Sequence, residues 1–193
     1  QETAAFDRLL QLEPAAGLTV QETLLPLLPL LFLRLTNPEL RADFRGMLER
    51  ALNCFQMRAE DAADRYDWAL YAEDEEIYRT FFLPVYSQLL ENYLVNAVFK
   101  NLFMTEQRPD YYTEWFRLIL QFSLVRFLLI AQMAELGALP ERSQVIERIQ
   151  KTTRAVGHDK LYLDQAAAQL AAGCAGDMVA ALQVFCGQVL GTA

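Results

Sequence analysis

The 193 residues suffice for one domain of roughly 150 residues plus a small appendage, and two full domains are not expected. Hydrophobic residues make up 53% and charged residues 22%, which excludes disorder and low-complexity classes for most of the length and permits a buried core. The formal net charge of −8, from 25 acids against 17 bases, lacks the concentrated basic face of a phosphate-backbone binder, so no nucleic-acid partner is expected.

In chain order, Gln1 is not a natural initiator and no basic stretch opens a signal peptide, so the chain reads as a fragment of a longer protein. The uncharged run Leu24 to Leu33 holds Pro26 and Pro29 and is only half the ~20 residues that cross a bilayer; Leu118 to Met133 is interrupted by Arg126. No membrane span is expected. Thr36-Asn37-Pro38-Glu39 reads as a cap followed by a first-turn proline, which predicts a helix to about Met57. Leu40, Phe44, Met47, Leu48, Ala51, Leu52 and Phe55 would form its buried stripe.

Residues 60–76 hold eight acids against one base, a local sum of −7. Asp61, Asp64 and Asp67 at three-residue spacing read as a solvated face, since a straight helix offers calcium too few oxygens. Glu73 to Glu76 reads as the acidic first turn of a helix that runs from Tyr78 to Phe103, kinked or split at Pro84; electrostatic attraction of a lysine-rich partner is the functional alternative. Arg108-Pro109-Asp110 opens a helix that ends at Gly137 and is about 40 Å long, the expected centre of the fold. A further helix spans Leu139 to Val156, an Ala-rich one follows Asp159, and a last one follows Gly173. Strand signals are nearly absent. The expectation is all-α: residues 1–193 as one compact helical domain of eight or nine helices around a long central helix, with residues 166–193 as Ala/Gly-rich terminal helices.

No nucleotide-binding, metalloprotease or nucleophile-elbow signature is present, so the residues alone name no reaction. His158, the single histidine, sits in a predicted turn and reads as structural. Cys54, Cys174 and Cys186 are too widely spaced for a disulfide framework or a zinc site, which points to a reducing, cytoplasmic setting. Asn92, Asn96 and Lys100 follow at four-residue steps and form a polar stripe on the predicted helix. Buried amides without partners would cost about 1–3 kcal/mol each, so they either cross-link to another helix or meet a ligand or partner chain. Arg126, set among Leu and Phe, demands a carboxylate, for which Glu91 is a candidate.

Leu90-Glu91-Asn92-Tyr93-Leu94-Val95-Asn96, the following Phe99-Lys100-Asn101-Leu102-Phe103, Leu118 to Ala134 with Arg126, and Ile146-Glu147-Arg148-Ile149 leading to His158 and Tyr162-Leu163 resemble the C-terminal half of the bacterial flagellin lysine N-methylase family. The resemblance covers roughly residues 75–165. It implies methyl transfer from S-adenosylmethionine to flagellin lysines, with an iron–sulfur cluster held by clustered cysteines in a missing N-terminal half. This chain lacks those cysteines, and Asp159 stands where the family usually has Asn after the histidine. The implied role is therefore a scaffold or substrate-presenting part, inactive alone and binding no cofactor itself. Candidate substrate or partner contacts are Glu91, Asn92, Tyr93, Asn96, Lys100, Arg126 and His158. No catalytic residue is assigned.

A lysine must be neutral to attack a sulfonium methyl, so Tyr86, Tyr93, Tyr111, Tyr112 and Glu91 are of suitable type to orient one, although tyrosines in a helical domain also serve as core-edge residues. The competing class is a non-catalytic helical ligand-binding or dimerisation domain of a bacterial regulator.

Overall fold

The computed structural model describes residue 24 and residues 26–59, 61, 66–99, 111–157 and 159–173. They form α1 (Leu28–Thr36), α2 (Ala42–Cys54), α3 (Trp68–Ile77), a π-turn (Tyr78–Phe82), α4 (Leu83–Val98), α5 (Tyr111–Leu136), α6 (Arg142–Gly157) and α7 (Lys160–Gly173). No strand occurs among the described residues, so the all-α expectation holds. The helix expected after Gly173 lies outside them.

Helix α5 is the centre, as its length and Leu/Phe content predict. Every side chain from Leu118 to Met133 is buried, and α2, α3, α4, α6 and α7 all pack against it. It is long and apolar enough to cross a membrane by length and composition alone, but its apolar stretch is almost wholly covered by the other helices, which is the arrangement of a core helix. Gly137 ends it with φ +58°, a left-handed conformation that glycine adopts without a Cβ penalty, and its N–H donates to the Met133 carbonyl.

The predicted stripe of α2 is buried in full: Leu40, Phe44, Met47, Leu48, Ala51, Leu52 and Phe55 are each at most 6% exposed. Phe55 stands edge-on to Tyr71 and tilted against Phe127, which joins α2, α3 and α5 in one aromatic contact. Burying each such side chain contributes about 1.5–3 kcal/mol.

Two predicted starts need correction. The helix after Asn37 begins at Ala42, because the Asn37 side chain accepts the Glu39 N–H and turns the chain there, while the Arg45 guanidinium holds the Leu35 and Asn37 carbonyls at 2.6 Å. Glu73 to Glu76 do not open a helix. Asp67 caps α3 six residues earlier by accepting the Leu70 N–H at 3.0 Å, which places the four acids in the later turns.

The α-helix is interrupted just before Pro84, and the interruption is a π-turn over Tyr78–Phe82. The widened turn before it lets the Leu83 N–H donate to the Tyr78 carbonyl five residues back, and Pro84 then occupies the first turn of α4, where its missing N–H costs little. The wide turn has a packing consequence. Tyr78, Phe82, Tyr86 and Leu90 are all buried, and four-residue steps drift about 40° each in a regular α-helix. A π-turn subtracts from that drift and keeps the row inward. Tyr78 stacks on Phe82 at 4.6 Å between ring centres, and Phe82 meets Tyr86 at 4.8 Å. Phe81 and Val85, each one residue before a member of this row, are exposed instead.

Candidate functional site

Of the residues that sequence analysis singled out, Arg126 lies on α5, while Glu91, Asn92, Tyr93 and Asn96 lie on α4, the second half of the continuous helical segment that begins with α3. Its inner face carries charge into the core. Glu75, 2% exposed, pairs with Arg126 of α5, 8% exposed. The Arg126 partner is therefore Glu75, and the expectation of Glu91 is overturned: Glu91 faces outward, where the Gln88 amide donates to it at 3.1 Å. A signal for Glu75 was present in the sequence, since Tyr71, Glu75, Tyr78 and Phe82 recur at helical spacing and place one acid on an otherwise aromatic stripe.

The surroundings of this pair are tightly closed. Burial pushes the Tyr71 hydroxyl upward, with the Arg126 charge partly offsetting it, and burial also raises Tyr78, with Tyr71 beside it. Neither phenol has the lowered pKa of a general base. The Tyr78 hydroxyl is buried without a hydrogen-bond partner, directly in the widened turn.

The outer face presents the polar stripe. Asn92 and Asn96 are both exposed, so they do not cross-link to another helix as one reading required; Asn92 accepts a long 3.5 Å hydrogen bond from Gln88. The reason is angular: Leu90 and Ala97 take the buried side of α4, leaving the amides on the far side. Tyr93 is half-buried beside Thr153 of α6; burial raises its pKa and the Thr153 hydroxyl partly counters this. Tyr86 is buried and donates to the Pro140 carbonyl at 2.7 Å, which makes it a core-edge residue. Lys100 and His158 lie outside the described residues, as do the Tyr111 and Tyr112 side chains.

Sequence analysis missed a second buried guanidinium. Arg34 of α1, 4% exposed, donates to the Asp159 carboxylate and the Ala155 carbonyl and lies 4.9 Å from the centre of the Tyr162 ring. Asp159 also accepts from the Asn37 side chain and the Tyr162 N–H, each at 3.0 Å, and so caps α7. Burial favours the neutral acid, but the Tyr162 N–H, Arg34 and Asn37 outweigh it and hold the carboxyl below the usual range. Asp159 is thus a structural clasp. The signal was the same as for Arg126, a lone Arg inside Leu30-Leu31-Phe32-Leu33-Arg34-Leu35.

The described residues do not fit an iron–sulfur cluster. Such a cluster takes about four thiolates, and Cys54 stands on α2 with its thiol pushed up by burial and by the Asp74 and Glu135 carboxylates. Cys174 and Cys186 are outside the described residues. Among the described residues no group of three or more His, Cys, Asp or Glu side chains is placed to hold a metal ion.

A central α5 carrying Arg126, the Glu91 to Asn96 stripe on α4 and the α6–α7 junction at Asp159 are thus parts of one helical body. The family model described as the FliB lysine N-methylase C-terminal domain matches residues 9–182, nearly the whole chain. The chain belongs to this family. Its resemblance to the C-terminal half of a lysine N-methylase, read from residues 75–165, therefore extends well beyond those bounds. No curated protein and no solved structure matches the chain.

Proposed function

We propose that this chain is the helical C-terminal part of a protein-lysine N-methyltransferase that acts on flagellin with S-adenosylmethionine in the cytoplasm, and that it supports the catalytic part and presents the protein substrate. The family match carries this reading. The closed interior supports the division of labour: the buried charged groups described are paired, in Glu75–Arg126, Arg34–Asp159 and Glu114–Arg117, and the Tyr71 and Tyr78 phenols have their pKa raised by burial. We assign S-adenosylmethionine and the iron–sulfur cluster to the remainder of the enzyme. Glu91, Asn92 and Asn96 are exposed and are the described residues best placed to meet a neighbouring chain, with Lys100 and His158 kept as candidates from the sequence.

Co-expression of flagellin with the complete enzyme, and with the same enzyme lacking the segment equivalent to residues 9–182, tests this. Mass spectrometry should find methylated flagellin lysines in the first case and not in the second. Methylation that persists undiminished after the deletion overturns the presenting role. The regulator reading has no observation in its favour beyond helix content, which both classes share.

A further inference from the structure

The outer face of the α3–α4 segment carries large apolar side chains in a row. Ile77 is 39% exposed, Phe81 60%, Val85 56% and Val95 45%. At 100° per residue Gln88 and Asn92 fall on the same line between Val85 and Val95, so the face reads apolar at both ends and hydrogen-bonding in the middle. From residue 77 to residue 95 it extends about 27 Å, or five turns. Four large apolar side chains spaced along one helical segment differ from singly scattered ones and match in size the largest patch a monomer commonly carries, which is often functional.

Charge decides what fits it. Residues 66–99 contain six acids (Asp67, Glu73, Asp74, Glu75, Glu76, Glu91) and one base, Arg79. Arg126 neutralises Glu75 from α5, so the segment retains −4 at its surface. Glu73 and Glu91 are exposed near the two ends of the apolar row and form its acidic flank, while Glu76 is paired with Arg79. A second copy of this chain would bring like charge against like charge, with a total of −8 on each copy. The row also exposes only on the order of a few hundred Å², short of the ~800 Å² per partner that a stable dimer buries. A short amphipathic helix with lysines beside its apolar stripe meets both requirements, since its side chains enter between Phe81 and Val95 while its ammonium groups face the acidic flank.

We propose that this face docks a lysine-flanked amphipathic helix of the protein substrate. The proposal rests on the reading of the chain as the substrate-presenting part of a lysine methylase and gives that role a location. Asn92 hydrogen-bonds the docked segment at mid-row, and the acidic flank sets its orientation.

The probe is a labelled helical peptide of about twenty residues with leucines at every third and fourth position and lysines flanking them, compared with a peptide in which glutamates replace the lysines and with a scrambled peptide of the same composition. Fluorescence anisotropy with the 193-residue chain should show binding of the lysine peptide that weakens with added salt and is at least tenfold tighter than that of the other two. The F81S/V85S variant should lose at least tenfold while keeping its circular dichroism spectrum and melting temperature; both side chains are exposed, so folding should survive. Equal binding of the glutamate peptide, unchanged binding by F81S/V85S, or sedimentation showing a dimer that F81S/V85S dissociates overturns the proposal. In the complete enzyme, F81S/V85S should raise the KM for flagellin with little change in kcat. Normal methylation with an unchanged KM would overturn the docking face alone, whereas no methylation by the unmodified enzyme would overturn the functional reading and leave the peptide result standing.

Discussion

Arg34 and Asp159, 125 residues apart in sequence, close the fold between its first described helix and its last: the Arg34 guanidinium reaches the Asp159 carboxylate, the Ala155 carbonyl and the Tyr162 ring together. Replacing Arg34 with Ala leaves the Ala155 carbonyl and Asp159 without their charged donor. The loss should be about 2–3 kcal/mol, the worth of hydrogen bonds to a charged group, and a urea titration of the 193-residue chain should show it.

The same clasp makes stability depend on pH in a defined direction. The folded-state pKa of Asp159 is held below its unfolded value, so the folded state favours the ionised form. Its contribution is present in full above the unfolded pKa of about 4 and is lost as the pH falls through the lower folded value. The gap in urea midpoint between the unmodified chain and Asp159→Asn should therefore be widest near pH 7 and shrink in acid. A gap that stays constant from pH 7 to pH 3 would exclude the mechanism.

Glu75 and Arg126 are both nearly sealed from solvent, which sets a different expectation. Glu75→Leu alone strands a guanidinium in the core and should cost about 3–5 kcal/mol, while the double variant with Arg126→Met should recover much of that, because paired replacement by apolar groups removes the desolvation penalty of both. Non-additivity of this sign in a double-mutant cycle checks it.

Cys54 should be a sluggish thiol. Burial and the Asp74 and Glu135 carboxylates all disfavour its thiolate, the reactive form. Alkylation followed by peptide mass spectrometry should find it slow at pH 7.5 and faster above pH 9, with Glu135→Gln accelerating the reaction at neutral pH.

Much of the architecture was readable because local rules and tertiary packing agreed. Leu118 to Met133, the stop at Gly137 and the stripe from Leu40 to Phe55 each satisfy periodicity and burial at once. The misses share a cause. Which carboxylate meets Arg126 depends on how α3 and α4 lie on α5, and four-residue spacing in one helix cannot rank Glu75 against Glu91. Asn92 and Asn96 were legible as a stripe but not as an exposed one, because the neighbouring row Tyr78, Phe82, Tyr86 and Leu90 competes for the same core and wins with larger apolar surface. The helix starts went astray at Asn37 and Glu73, where Asx turns and an earlier Asp67 cap supplied the hydrogen bonds that generic start signals promised elsewhere.

The widened turn at Tyr78 to Phe82 works like a spare link in a gear chain. Removing a single residue between Tyr78 and Leu83 would turn the Leu83-to-Tyr78 hydrogen bond from a five-residue into a four-residue one, so the segment should re-form as an ordinary α-helix with α4 keeping its facing relative to α3. Loss of one codon at this spot would thus leave the outward row of α4 outward, whereas loss of one in a regular turn of α3 or α4 would swing that row by about 100°, so length polymorphism among natural variants should be tolerated here and purged in the regular turns.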